Sequence, residues 1–148
     1  MKINSITYDN GGYTHQGILT DDQRYFLLGD ELDELRYGSP TKTLIFDISS
    51  LSNPTSHFNY FGGVNSIDHN GYVKDKVFYL SSYTSGLRVL DISKIEEKKI
   101  DEIGFFDTYP QDNNTKFNGA WSNFPFFDSG VIAINDIDSG LFLVKASK

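Results

Sequence analysis

Cysteine is absent from the 148 residues, which excludes a disulfide framework, a thiolate zinc site and a cysteine nucleophile. Basic residues are scarce. Thirteen Lys and Arg face twenty Asp and Glu, a formal net charge of −7, leaving little for the clustered basic face that nucleic acid or anionic lipid requires. Long apolar runs are missing as well. None approaches the roughly 20 residues of a membrane helix, and no secretory signal heads the chain. Helical periodicity is almost wholly lacking. The one candidate, Ile95–Ile103 (IEEKKIDEI), is short, uncapped and followed by Gly104, so it reads as a turn entering a strand. Nor is there a GxSxG elbow, a phosphate-binding glycine loop, an HExxH pair or an EF-hand loop.

What remains is the vocabulary of strands and turns. Twelve Phe and nine Tyr sit among thirteen Gly, with many Ile, Val, Ser, Asn and Asp. Three segments align internally: Thr41–Ser49 (TKTLIFDIS), Ser85–Ser93 (SGLRVLDIS) and Ser139–Ser147 (SGLFLVKAS). Each alternates large apolar residues with other types, the period of a half-buried strand. Two end in Asp-Ile-Ser, whose Asp and Ser bond nearby backbone and stop the strand; in the third, Lys145 replaces the Asp. A second aligned set lies upstream of each: His15-Gln16-Gly17, His69-Asn70-Gly71 and Phe117-Asn118-Gly119. The order is kept while the spacing varies, as loop insertions between repeats would produce.

Between the two sets lie hairpins turning at Thr20–Gln23, Val73–Lys76 and Asp128–Gly130, and further strands follow at Ser56–Gly62 and Lys99–Asp107. Each repeat is thus four antiparallel strands over about 50 residues, the unit of a β-propeller blade. The expectation is all-β, with about twelve strands in three four-stranded blades, either part of a larger propeller or half of a six-bladed dimer. Residues 2–9 read as the outer strand of a blade completed elsewhere, 13–63 as blade one and 64–108 as blade two. Residues 109–148 read as blade three lacking its outer strand. Ile3–Tyr8 of one copy pairing with Leu141–Val144 of another would close both exposed edges.

The ordered motifs THQGILTDDQRYFLLGDELDE, FDISSLSNP, SIDHNGYVKDKVFYLSSYTSGLRVLDIS, GFFDTYPQDN, FNGAWSNFPFF and DIDSGLFLV resemble the C-terminal part of the choice-of-anchor B family, whose members carry LVIVD-type repeats. The resemblance runs from Thr14 to Val144. It implies propeller blades from a secreted or surface-displayed bacterial or archaeal protein joined to varying anchors, with no established catalytic activity. Relative to that pattern the sequence lacks the upstream blades and a C-terminal anchor.

Propeller geometry places the starts of the innermost strands and the loops after the second strands on one face. His15, Gln16, His69, Asn70 and Asn118 therefore gather there, with Tyr83 and Trp121 as aromatic contacts for a protein or glycan. Tyr37 and Tyr109 lie nearby, while Phe124, Phe126 and Phe127 read as core between blades. The same face carries two acidic runs, Asp30, Glu31, Asp33 and Glu34 in blade one and Asp136 and Asp138 in blade three. Such oxygens suit calcium, and His15 and His69 suit a transition metal. The plainer reading has the His, Gln and Asn side chains bonding backbone between blades and the carboxylates solvated. A hydrolase using Asp30–Glu34 as paired acids is a further alternative.

Overall fold

The computed structural model describes residues 1–147. Blade one is the meander β1 (Thr14–Leu19), β2 (Tyr25–Asp30), β3 (Lys42–Asp47) and β4 (Thr55–Phe61). Blade two repeats it with β5 (Gly71–Lys74), β6 (Val77–Ser81), β7 (Leu87–Asp91) and β8 (Asp101–Phe106). Blade three has β9 (Ala120–Phe124), β10 (Ile132–Asp136) and β11 (Gly140–Val144). Each strand pairs antiparallel with its sequence neighbour within its sheet. The fold is therefore all-β, in blade-like antiparallel sheets that form a partial propeller.

The first strands of successive sheets adjoin: β1 lies against β5, and β5 and β6 lie against β9. Between blades one and two the core holds Tyr25, Leu27, Ile45, Val73, Phe78, Leu80, Leu90 and Ile92. Each such buried side chain contributes about 1.5–3 kcal/mol of transfer free energy. A smaller cluster of Leu87, Ala120 and Ile134, backed by Tyr79, Val89 and Phe142, joins blades two and three. The blades are thus held by the alternating residues that the repeats predict.

The repeated motifs have identifiable physical causes. The Asp47 carboxylate accepts the Ser49 N–H at 2.9 Å, and that of Asp91 accepts the Ser93 N–H at 2.8 Å. Both Asp-Ile-Ser segments therefore stop their strands by a local side-chain bond. In the first two repeats the motif glycine is covered by an aromatic ring. A Cβ on Gly17 would collide with the Phe26 ring, and one on Gly71 with the Phe78 ring. At the turn joining β5 to β6, Asp75 and Lys76 have φ of 53° and 60°, the left-handed pair that a two-residue hairpin of this twist requires.

Three expectations are corrected. First, α1 (Asp33–Tyr37) is a short helix where an acidic loop is expected; Gly38, at φ 69°, ends it by donating its N–H to the Glu34 carbonyl. Ile95–Glu97 is only a 3-10 turn, ahead of β8 as the sequence suggests. Second, the described strands number eleven, because residues 2–9 join no sheet. Within the chain, Ile6 and Tyr8 instead lie beside Phe26, Leu28 and Phe46 on blade one. Third, Phe124, Phe126 and Phe127 are exposed, and Phe124 meets the other two edge-on, with ring centroids 5.3 and 5.0 Å apart. Phe126 meets Tyr72 of β5 edge-on at 6.1 Å, but the contact is marginal and all three rings stay 41–48% exposed.

Candidate functional site

Because β1, β5 and β9 adjoin, their N-terminal ends bring residues of all three blades to one point. His15 enters from β1, Glu31 from the turn after β2, and His69 from the segment just before β5. Tyr83 follows β6, and Trp121 lies in β9. His69 is the hub. Its ring centroid is 4.5 Å from that of His15, 4.9 Å from Tyr83 and 4.5 Å from Trp121. Tyr83 meets Phe117 edge-on at 5.3 Å. His69 and Tyr83 are buried, whereas His15 and Trp121 are exposed. The cluster is thus two buried rings flanked by two exposed ones.

Glu31 binds this cluster together. Its Oε2 lies 3.5 Å from His15 Nδ1, its Oε1 lies 3.4 Å from His69 Nε2, and the Tyr83 hydroxyl donates to Oε1 at 2.8 Å. The Glu31 position is fixed by its own N–H, which donates to the Tyr13 carbonyl at 3.0 Å. The far side of His69 is also held: Nδ1 sits 2.6 Å from the Trp121 carbonyl oxygen. A carbonyl only accepts, so Nδ1 carries the proton and Nε2 presents its lone pair to Glu31. The Asn70 amide flanks the same pair, 3.2 Å from that carbonyl. Burial lowers the His69 pKa below the usual imidazole value, against the opposing pull of the Trp121 carbonyl and the Glu31 charge. Burial, and then the bond to Glu31, raises the Tyr83 hydroxyl well above the ordinary phenol range.

The acidic run after β2 divides three ways. Asp30 turns back onto the segment before β1, accepting the Tyr13 N–H at 2.5 Å, the Gly12 N–H at 2.7 Å and the Tyr8 hydroxyl at 2.8 Å. Burial opposes its ionisation, yet those donors outweigh burial and hold its carboxyl below the usual range. Glu31 joins the histidines. Asp33 and Glu34 point inward to Asp68, and all three are at least 97% buried. Solvation of the whole run is therefore corrected: Glu31 is half-buried and the other three acids are buried.

Lys42 forms an ion pair with Asp33. Apart from that ion pair, the buried carboxyl oxygens of Asp33, Glu34 and Asp68 have no partner outside the trio among the described residues. One ammonium cannot neutralise three carboxylates, and burial, then the charges of Asp68 and Asp33, pushes Glu34 up to about 10. Burial, then the charges of Asp33 and Asp30, also raises Asp68. Glu34 therefore holds a proton at neutral pH.

Asp68 escapes a sequence search for site residues. Its signal is its place directly before the motif histidine, where the first repeat has Thr14. Gly29 is a second signal, because a Cβ there would collide with an Asp68 oxygen.

The remaining residues singled out by the sequence lie elsewhere on the blades. Gln16 reaches across from β1 toward Gly71 of blade two. Asn118 donates to Asp138 at 3.2 Å, and the Gly119 N–H donates to the same carboxylate at 2.9 Å. Asp136 accepts the N–H groups of Asp138 and Ser139 at 2.8 and 2.7 Å, closing the turn between β10 and β11. The two acids of blade three thus bond within their own blade and do not join a cluster of three metal-ligating groups among the described residues. The fold brings together His15, His69, Asn70, Tyr83, Trp121 and Glu31, and separates them from Asn118, Asp136 and Asp138. No protein-family model and no curated protein matches the chain.

Proposed function

We propose that the chain is a non-enzymatic binding module, made of blades from a secreted or cell-surface propeller protein of the choice-of-anchor B type, and that it takes a glycan on the face around Trp121. The observation that carries this reading is the exposed Trp121 indole, 45% accessible, set against the buried rings of His69 and Tyr83. An indole held rigidly by packed neighbours offers a flat apolar platform at low entropic cost. The apolar C–H face of a sugar ring stacks on such a platform. The sugar hydroxyls then need donors and acceptors around it, and the Asn70 amide, the His15 ring and the Glu31 carboxylate supply both kinds. Cell-surface placement rests on the family resemblance alone.

The test is a glycan array followed by calorimetry with the best binder. Binding by the wild type and at least a tenfold loss in Trp121→Ala, with an unchanged circular dichroism spectrum, supports the reading. An array without binders, or equal affinity in the variant, overturns it. A protein ligand lost with the same substitution would replace the ligand class and keep the face.

A further inference from the structure

The strongest unassigned chemistry lies under that face. His15 Nδ1, His69 Nε2 and a Glu31 oxygen all lie within 4.8 Å of one another. We propose that His15, Glu31 and His69 form a binding site for one divalent transition metal of the zinc type. Metal–nitrogen bonds of about 2.0–2.1 Å and metal–oxygen bonds of about 2.0–2.2 Å place neighbouring ligand atoms of a tetrahedral site about 3.3 Å apart. The Glu31 oxygens lie 3.5 Å from His15 Nδ1 and 3.4 Å from His69 Nε2. Both edges from Glu31 are thus close to those of such a site, and all three ligand atoms fall within 4.8 Å of one another.

The hydrogen bonds outside the three atoms argue the same way. The Trp121 carbonyl fixes the proton of His69 on Nδ1, so the nitrogen facing Glu31 is the one with the lone pair. Metal-binding imidazoles usually donate their other N–H to a carbonyl or carboxylate, which sets tautomer and ring orientation. The Tyr83 hydroxyl, donating to Glu31 Oε1 at 2.8 Å, orients the third ligand in the same manner. Two imidazoles with one carboxylate select zinc, copper, iron or nickel over calcium, which prefers a larger all-oxygen shell. The side exposed at His15 leaves the fourth position to water or to a ligand on the face. The two readings share His15 and Glu31 but differ at Trp121, which adjoins the metal site through its backbone carbonyl and offers the glycan its indole.

The test is calorimetry of the full chain, freed of metal by chelation, against zinc chloride and calcium chloride, with the visible spectrum of the cobalt(II) form as a second readout. The expected result is one zinc per chain, d–d bands of four-coordinate cobalt, and zinc binding at least about 100-fold tighter than calcium. His15→Gln and Glu31→Gln, both at partly open positions, should each weaken zinc at least about 100-fold. Tyr83→Phe should weaken it about 10–100-fold, as loss of an orienting bond does. Zinc binding is read with no glycan present, so an array without binders leaves these outcomes standing and failure of one reading is distinguishable from failure of the other. Equal zinc affinity in the wild type and His15→Gln overturns the proposal, as does calcium binding in preference to zinc. If His69→Gln does not fold, the His15 and Glu31 variants decide between these outcomes.

Discussion

The buried acids Asp33, Glu34 and Asp68 make a quantitative prediction about pH. In the unfolded chain Glu34 ionises near 4.3 and Asp68 near 3.9. In the folded chain burial, then the neighbouring charges, raises both, Glu34 to about 10. Between the two values the native state holds a proton that the unfolded state has released. Stability then falls as pH rises, by at most about 1.4 kcal/mol per pH unit for each retained proton. The contribution is fully present below the unfolded value and is lost as pH climbs through the folded value. His69 runs the other way: its pKa is lowered, so its effect is a gain of stability as pH rises through the ordinary imidazole range. Above pH 7 that gain is largely complete, which makes pH 7–9 the window in which the acids dominate.

Glu34→Gln removes one of these titrations while keeping the shape of the side chain. Over pH 7–9 the single proton on Glu34 is worth about 3 kcal/mol, which for a chain of this size moves the melting temperature by roughly 6–12 °C. The wild type should therefore lose stability across this window, and Glu34→Gln should lose less and be the more stable protein at pH 9. Urea titrations followed by Trp121 fluorescence at half-unit steps give both curves, and their difference cancels every group shared by the two proteins. A wild-type curve that is flat or rising from pH 7 to 9 would refute the reasoning, and so would parallel curves for the two proteins.

Two further outcomes test the fold. Gly71→Ala drives a Cβ into the Phe78 ring, so it should cost about 1–3 kcal/mol by overpacking, read as a lower urea midpoint; Gly104→Ala, where a Cβ meets open space, should cost less. If residues 2–9 supply an outer strand to β11 of a second copy, light scattering should report twice the 16.7 kDa chain mass; deleting residues 1–9 should halve that mass, and a wild-type monomer would refute the pairing.

The strands are legible in the sequence because their causes are local and repeated. Alternation in TKTLIFDIS and SGLRVLDIS marks β3 and β7, and the Asp-Ile-Ser endings do locally what the sequence suggests. The short helix is not legible. DELRY carries no capping side chain at Leu32, and its inward-facing acids defy the rule that charged residues seek water. Lys42, which the fold brings to Asp33 from β3, and the proton held on Glu34 make that burial tenable. The exposure of Phe124, Phe126 and Phe127 is hidden for a related reason. Their apolar character is local, but whether another blade covers them is a property of the assembly.

The site shows the same division at finer grain. His15 and His69 stand out in the sequence because the repeats place them at equivalent positions, and equivalent positions on adjoining first strands meet at one end of the propeller axis. What repetition cannot supply is the asymmetry that gives the meeting point its chemistry. The third repeat has Phe117 where the others have histidine, and the Asn118 side chain beside it turns to Asp138 of its own blade. The place against His69 is taken by Trp121 and the Trp121 carbonyl. Glu31 likewise looks no different in sequence from the acids on either side of it. It differs because Asp30 is held by backbone N–H groups and Asp33 and Glu34 are turned inward by one helical turn, leaving Glu31 as the acid of the run that reaches the two rings. A repeat builds the platform, and the departures from the repeat decide what it can bind.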